Sequence, residues 1–212
     1  MIAYHTILAD PPWEERGGGK ICRGAQRHYP LMKVPEIIGY LRQIPVAQDA
    51  HLYLWVTNNH LQDGLRVMEA LGFVYKTNLV WVKTKNGGET VQIGLGQYFR
   101  GAHELLLFGT RGRQPYRTTV AGGRVTIPSV ILSARREHSR KPDEQYTIAE
   151  AVSYPPYIEA FARERRDGWD AIGNEAPGAI ELSWLNTTAQ NGQATLGDPS
   201  RSQTSLENFN AP

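Results

Sequence analysis

The stretch AYHTILADPPW (residues 3–13) joins an apolar run to an acid, two prolines and a tryptophan. Its apolar run is typical of a buried strand, and the run stops at the carboxylate of Asp10. Pro11 and Pro12 fix the backbone there and carry no N–H group, so the turn offers hydrogen-bond acceptors only. Trp13 adds a flat aromatic face. One interpretation is a rigid structural turn, and the other is a binding site at the end of a strand.

Strand-like and helix-like segments alternate along the chain. The strands are expected at 3–10, 51–57, 73–84, 103–110, 129–134 and 157–163, and the helices at 34–44, 60–71 and 141–153. This alternation predicts an α/β domain with a mostly parallel sheet and helices on both faces. Ligands bind beyond the carboxyl ends of strands in such sheets, and Asp10, Thr57 and Lys83 stand at such ends.

The composition predicts one folded domain followed by an extension. The chain has 212 residues, of which 41% are hydrophobic, and the domain is expected over residues 1–176. From Pro177 the sequence is rich in Thr, Gln, Asn and Ser, so residues 177–212 are expected to be an extension that is flexible from 188 onward. The single cysteine, Cys22, excludes an intramolecular disulfide. No signal peptide and no membrane-length apolar run is present, so we expect a cytoplasmic protein.

Basic residues are concentrated in residues 111–141, where eight Arg and Lys side chains stand against one acid. Such a cluster is either a phosphate-binding stripe or a solvated surface. If the chain binds nucleic acid, these arginines contact the backbone and make binding depend on salt. The arginines assigned to this role are Arg111, Arg113, Arg117, Arg135 and Arg136.

The histidines and glycines predict no further cofactor site. The histidines lack metal-site spacing and one cysteine cannot form a zinc cluster, so no metal is expected. GLGQYFRG (94–101) precedes a strand rather than a helix and is not a dinucleotide-binding fingerprint. His103 and Glu104 head a strand and are interpreted as structural. Trp55 and Trp81 lie within strand runs and are expected in the core.

The acceptors and the aromatic face at residues 10–13 suit an exocyclic amino group on a nucleobase. The lone pair of that nitrogen is delocalised into the ring, so the amine is a poor nucleophile. A carboxylate and a backbone carbonyl can each accept one N–H. These contacts orient the amine and stabilise the positive charge that develops on nitrogen as a methyl group arrives.

Several motifs resemble the adenine-N6 methyltransferase family, whose best-known member is the catalytic subunit of the eukaryotic mRNA adenosine methyltransferase. In chain order they are DPPW (10–13), HLYLWVTNNHLQDGLRVMEALGF (51–73), GQYFRGAHELLLFGTRG (96–112), REHSRKPDEQY (136–146) and YIEAFARERRDGWDAIGNE (157–175). The chain is similar in size to compact prokaryotic and phage members. The resemblance implies a Rossmann-like, S-adenosylmethionine-dependent methyltransferase with a permuted motif order, in which the catalytic motif comes first.

The resemblance also implies roles for individual side chains. Asp10 and the Pro11 carbonyl would hold the target amine. Trp13 and Tyr29 would pack on the adenine. Lys141 would lie near the target base or the methionine end of the cofactor. The residues implied to bind S-adenosylmethionine are Asp10, Ser139, Lys141, Glu159, Phe161, Arg163, Asn174 and Glu175.

The resemblance predicts methyl transfer to N6 of adenine in DNA, with RNA adenosine and cytosine N4 as alternative targets. The alternative from another class is a non-catalytic, nucleic-acid-binding subunit, because family members pair an active with an inactive subunit. Such a subunit would belong to a methyltransferase heterodimer. An active chain is compatible with a homo- or heterodimer. The intact motif at residues 10–13 favours an active enzyme. A target adenine has to leave a duplex, or come from a single strand, to reach Asp10.

Overall fold

A mixed β-sheet forms the centre of the molecule in the computed structural model. The structure describes residues 2–14, 31–85, 88, 90–96, 98–113, 116–119, 121–136, 140–173 and 176. The strands in this part are β1 (Tyr4–Ala9), β2 (Val46–Val56), β3 (Val74–Lys85), β4 (Thr90–Val91), β5 (His103–Arg111), β6 (Val130–Ala134), β7 (Tyr157–Ala160) and β8 (Trp169–Ile172). The α-helices are α1 (Val34–Leu41), α2 (Leu61–Ala70) and α3 (Glu144–Val152).

The strand order across the sheet is β4-β3-β5-β2-β1-β7-β8, and β6 also pairs with β3. β1 is parallel to β2 and β7, β7 to β8, and β3 to β6. β5 is antiparallel to both β2 and β3. Between β3 and β5 the described residues form β4 and a loop rather than a crossover helix, and an antiparallel neighbour needs no crossover. Most strands therefore share one direction, which confirms the predicted α/β class with a mostly parallel sheet.

Apolar side chains bury both faces of the sheet. Leu52, Leu54 and Val56 of β2 face the cluster that includes α1 and α2, whereas Tyr53 and Trp55 face the cluster that includes α3. Because both faces of the sheet are covered, residues 52–56 of β2 are all apolar instead of alternating between apolar and polar. The prediction of helices on both faces is confirmed.

α2 lies directly against the sheet at Gly64. A Cβ atom on Gly64 would be 2.5 Å from Val56 Cγ1 and 2.9 Å from Leu107 Cδ1. Only glycine therefore allows this helix to approach β2 and β5 so closely. The approach fixes the end of β2 and the start of β5, which carry residues of the site described below.

Four predicted boundaries need correction. α1 ends at Leu41 rather than at 44, because the N–H groups of Gln43 and Ile44 bond to the carbonyls three residues back instead of four. β2 begins at Val46 rather than at 51, because the residues up to Ala50 complete the ladders with β1 and β5. β7 ends at Ala160 rather than at 163, because Phe161 adopts a φ of +62° and breaks the strand. α3 begins at Glu144 rather than at 141, because the residue before Pro142 is disfavoured in a helix.

The described residues include most of the predicted domain, up to residue 173 and residue 176. The predicted extension at 177–212, with its flexible part from 188, lies outside the described residues. Within the described part of the chain, the helices are all too short or too polar to cross a membrane.

Candidate active site

Charged side chains from four parts of the chain meet at one edge of the sheet, which we call the Asp10 edge. It is formed by the carboxyl ends of β1, β2, β3, β6 and β7 and by the start of antiparallel β5. Asp10 follows β1, Lys83 lies near the end of β3, and Glu104 lies at the start of β5. Lys141 comes from the segment between β6 and α3. The reversal of β5 is what brings Glu104 to the same edge as Asp10.

These side chains form an alternating chain of charges. Lys141 Nζ donates a hydrogen bond to Asp10 Oδ2 at 2.6 Å and lies 3.3 Å from Glu104 Oε2. Lys83 Nζ donates to Glu104 Oε1. The Lys141 side chain is only 10% exposed, so water screens these interactions less than it would on an open surface. The ammonium of Lys141 is therefore held between two carboxylates.

The pKa values of the three central groups move in directions set by burial and by their partners. Burial raises the pKa of Asp10 above its ordinary value, and this effect outweighs the opposing influence of Lys141. Burial alone would raise the pKa of Glu104, but Lys141 and Lys83 outweigh it and lower that pKa. Burial alone would lower the pKa of Lys141, but Asp10 and Glu104 outweigh it and raise that pKa. Asp10 is thus the carboxylate of the cluster that takes up a proton more readily.

Two tryptophans form an aromatic floor under the ammonium groups. Lys141 Nζ lies 5.5 Å from the ring centroid of Trp55, and Lys83 Nζ lies 5.1 Å from that of Trp81. Both distances fit cation–π contacts. Both rings are buried, as predicted, and Trp55 Nε1 donates to Gln145 Oε1 at 2.7 Å. The core positions of these tryptophans therefore also support the charged cluster.

The turn at residues 10–13 is anchored to its neighbours. Trp13 is 9% exposed, its Nε1 donates to the Trp55 carbonyl at 3.0 Å, and its ring stacks on His60 at 5.5 Å. The backbone N–H of Met32 donates to the Pro12 carbonyl at 2.8 Å. The packing of Trp13 on a target base stays a prediction, since in this structure its ring holds the turn against β2.

Three residues expected at the cofactor follow or belong to β7, next to β1. The positive charge of Arg163 acts to lower the pKa of Asp10, which shows that the two groups are close enough to interact. The ring of Phe161 stacks on Tyr40 with centroids 4.5 Å apart. Glu159 accepts a hydrogen bond from Tyr146 Oη at 2.9 Å, and burial raises its pKa to about 7.

The predicted basic stripe is divided between two edges of the sheet. Arg135 and Arg136 follow β6 at the Asp10 edge, and Arg136 pairs with Asp143. Arg111 pairs with Ala50 near the start of β2, because β5 runs antiparallel, so Arg111 and Arg113 lie at the opposite edge. These four arginines therefore do not form one continuous stripe.

Arg117 makes contacts inside the protein. Its guanidinium donates to the Glu150 carbonyl at 2.6 Å and to Tyr157 Oη at 3.2 Å. These partners lie on α3 and at the start of β7, so the contacts connect the loop after β5 to the body of the domain. The structure thus shows a role for Arg117 within the fold, and its phosphate contact stays a prediction.

Some site residues were missed, and others cannot be placed. Glu104 was interpreted as structural, although it belongs to a motif that carried the resemblance, and Lys83 was noted only as a strand end. Their contribution depends on strand pairing, which local patterns do not reveal. The predicted residues Tyr29, Ser139, Asn174 and Glu175 lie outside the described residues.

Comparisons with known proteins extend over the whole sheet. The family model described as MT-A70 matches residues 4–175. The type II methyltransferase M.MunI from Mycoplasma sp is 29% identical over 202 residues, covering 82% of this chain and 78% of that protein. The N(6)-adenosine-methyltransferase MT-A70-like protein from Arabidopsis thaliana is 27% identical, covering 82% of this chain and 24% of that protein.

The eukaryotic relatives are much longer than this chain. The human N(6)-adenosine-methyltransferase catalytic subunit METTL3 is 27% identical over 184 residues, which make up 82% of this chain and 28% of METTL3. The chain spans about a quarter of the length of the plant relatives it matches. The family match nevertheless runs from the first strand to beyond the last, and the chain therefore belongs to the MT-A70 family.

Proposed function

We propose that this chain transfers the methyl group of S-adenosylmethionine to N6 of adenine in DNA. Membership of the MT-A70 family supports the reaction. The match to the type II methyltransferase M.MunI supports DNA as the substrate. Among the relatives compared above, M.MunI is the one whose length this chain covers most fully. The observation that carries the proposal is Asp10, a carboxylate at the end of β1 with one oxygen held by Lys141.

Asp10 is arranged to accept a hydrogen bond from an amine. Among the described residues, Lys141 engages Oδ2, and we assign Oδ1 to one N–H of the target amine. The Pro11 carbonyl already accepts the Trp13 N–H at 2.9 Å, and its second lone pair can accept the other amine hydrogen. Both acceptors stabilise the positive charge that grows on nitrogen during transfer.

Lys141 and Glu104 set the electrostatics of that carboxylate. The charge of Lys141 stabilises the ionised form of Asp10 and offsets part of the effect of burial, which still leaves the pKa of Asp10 raised. Glu104 Oε2 lies 3.3 Å from Lys141 Nζ, so the ammonium interacts with both carboxylates and not with Asp10 alone. A proton leaving the methylated nitrogen can be taken up by Asp10, because the raised pKa of Asp10 makes it the more basic of the two carboxylates.

The residues present fit S-adenosylmethionine. The methionine end of the cofactor carries one ammonium and one carboxylate, and the Asp10 edge offers carboxylates and ammonium groups for both. When bound, the cofactor supplies a methyl group on a positively charged sulfur. Asp10 and Lys141 would hold the methionine end. Phe161, Arg163 and Glu159 would line the adenosine side.

The proposal is tested by supplying labelled S-adenosylmethionine with unmethylated DNA or RNA and identifying the methylated nucleoside by mass. The parent chain is expected to yield N6-methyldeoxyadenosine. Asp10→Asn keeps the shape of the side chain and removes its charge. We expect it to lower transfer by about 10²–10³-fold, the usual effect of losing one group that stabilises transition-state charge, while the cofactor still binds through Lys141 and the residues on its adenosine side.

The other outcomes separate the alternatives. N6-methyladenosine in RNA alone would keep the chemistry and make RNA the substrate. N4-methylcytosine would contradict the choice of adenine. Cofactor binding without any product would favour a non-catalytic subunit. Full transfer by Asp10→Asn would remove Asp10 from the mechanism.

A further inference from the structure

The loop between β4 and β5 holds two aromatic side chains in water. Tyr98 and Phe99 are 93% and 90% exposed, more than any other large apolar side chain in the described part of the chain. Folded proteins usually cover consecutive aromatic rings, and exposed apolar patches mark binding surfaces. Tyr98 and Phe99 are therefore a candidate binding surface for another molecule.

The loop is a tight, hydrogen-bonded turn. The Gly94 N–H donates to the Gly101 carbonyl at 2.6 Å, and the Gly101 N–H donates to the Leu95 carbonyl at 3.0 Å. A Cβ atom on Gly96 would lie 1.9 Å from the Phe99 carbonyl oxygen, so the turn requires glycine there. The backbone thus presents the two rings from a closed turn.

The turn rises directly from the Asp10 edge. The Gln92 N–H donates to the Lys83 carbonyl at 2.7 Å, and the Lys83 N–H donates to the Ala102 carbonyl at 2.8 Å. Glu104, which pairs with Lys83 and Lys141, follows two residues later. β5 is separated from β1 by β2 alone, a distance of about 10 Å across the sheet.

The charge of the turn suits a polyanion. Residues 91–103 contain no acid, and Arg100 follows the two rings directly. Aromatic rings stack on nucleobases whatever their sequence, and a neighbouring cation contacts phosphate. When an adenine is turned out of a strand, each neighbouring base loses its stacking partner on one face. An aromatic side chain that stacks on such a face replaces the lost contact.

We propose that Tyr98 and Phe99 stack on the nucleobases that flank the target adenine, with Arg100 on the adjacent phosphate. The inference rests on the proposed function for its target base. It deepens that function, because it assigns the contact that keeps the nucleic-acid strand in place while the adenine occupies the Asp10 edge.

The test compares the parent chain with Tyr98→Ala/Phe99→Ala and with the ring-preserving Tyr98→Phe/Phe99→Tyr. Binding is measured with a labelled oligonucleotide that carries 2-aminopurine beside one adenine, so that stacking changes its fluorescence. Losing a single base–aromatic stack weakens binding at least about fivefold. We expect the alanine variant to show that loss together with a higher KM for the oligonucleotide. The ring-preserving variant and Leu132→Ala, which removes an apolar side chain 61% exposed on β6, are expected to bind as the parent does.

The failures of the two proposals are distinguishable. A parent chain that binds the oligonucleotide but methylates nothing contradicts the proposed function, while the loss on alanine substitution still supports the stacking role. Equal dissociation constants for parent and alanine variant, or no binding by the parent, overturn the inference. If light scattering shows that the alanine variant changes from dimer to monomer with unchanged oligonucleotide affinity, the turn is a protein interface and the inference is wrong.

Discussion

The two edges of the sheet are built from the same strands but carry different kinds of polar group. At the Asp10 edge, charges alternate from Asp10 through Lys141 and Glu104 to Lys83. At the opposite edge, where β1 and β2 begin, several polar side chains bond to backbone carbonyls. Examples are the His5 ring with the Asp49 carbonyl at 2.7 Å and Thr6 with the Tyr154 carbonyl at 2.7 Å.

The contrast shows what makes one edge suitable for chemistry. These groups at the opposite edge bond to the backbone or to one another, and the bonds hold strands and loops in place. The buried ring of His51, for example, bonds to Ser153 Oγ, which also contacts Tyr53 Oη. At the Asp10 edge the same burial is applied to charged groups whose pKa values depend on each other. That mutual dependence gives Asp10 properties that a solvated carboxylate lacks.

Among the variants that compare the two edges, the largest effect is expected from removing the cation that Asp10 and Glu104 share. Lys141→Met keeps the length of the side chain but leaves Asp10 and Glu104 as facing carboxylates. The pKa of Asp10 should then rise further, because an opposite charge is lost and a like charge remains. We expect methyl transfer to fall by about 10²-fold. We also expect the acid side of the rate profile to move to higher pH, as measured by initial rates at several pH values.

Arg117→Met provides the matched control at the opposite edge. It also removes a partly buried cation, but one that bonds to a carbonyl and to a tyrosine hydroxyl. It should lower the melting temperature and leave the pH profile in place. If both variants shift the profile alike, or if Lys141→Met shifts nothing, the difference between the edges is not electrostatic.

Local sequence patterns predicted the three α-helices, six of the eight strands in the described residues and the end of β1, but not the short strands β4 and β8. The apolar run before Asp10 and the alternation of strands and helices depend on neighbouring residues, so periodicity was sufficient. The error at the start of β2 arose because polar residues such as Gln48 and Asp49 continue that strand, and the error at the end of β7 arose because Phe161 adopts a positive φ. Neither feature leaves a periodic signal.

The composition of the site was predicted less completely, because it depends on contacts between distant segments. Asp10 was indicated by its position at the end of a strand and Lys141 by motif resemblance, and they do pair although 131 residues separate them. Glu104 joins them only because β5 is reversed, and the same reversal carries Arg111 away. Strand direction is decided by partner choice across the sheet, which no short motif of this chain specifies.

The divided arginines give a second test of the two edges. Arg135→Gln/Arg136→Gln alters the Asp10 edge, whereas Arg111→Gln/Arg113→Gln alters the opposite one. Removing one arginine that binds a phosphate should reduce the slope of log affinity against log salt by about one. We expect a reduction of about one to two for the first pair and none for the second, measured by oligonucleotide titrations at several salt concentrations. If the two double variants have equal slopes of log affinity against log salt, the arginines at the Asp10 edge are solvated surface residues with no particular contact to phosphate.

The smallest expected effect concerns stability, and it uses a carboxylate–tyrosine pair present at each edge. Glu159 accepts from Tyr146 near the Asp10 edge, and Asp170 accepts from Tyr4 near the other. Burial raises the pKa of Glu159 from 4.5 to about 7 in the folded chain. The folded state therefore holds this proton more tightly than the unfolded state, and the stability it contributes is complete below pH 4.5 and is lost as pH rises toward 7.

Glu159→Gln removes this titration while keeping an acceptor for Tyr146. The melting temperature of the variant relative to the parent should therefore climb between pH 4.5 and 7 and be level above that range, because the parent must then bury a charged carboxylate. Asp170→Asn is the matched variant at the opposite edge, and it shows how much of the change belongs to any carboxylate–tyrosine pair. If the difference in melting temperature between Glu159→Gln and the parent does not vary with pH, Glu159 is ionised over the whole range from pH 4.5 to 7. The Asp10 edge would then tolerate three buried carboxylates at once, which its two lysines and Arg163 would have to balance.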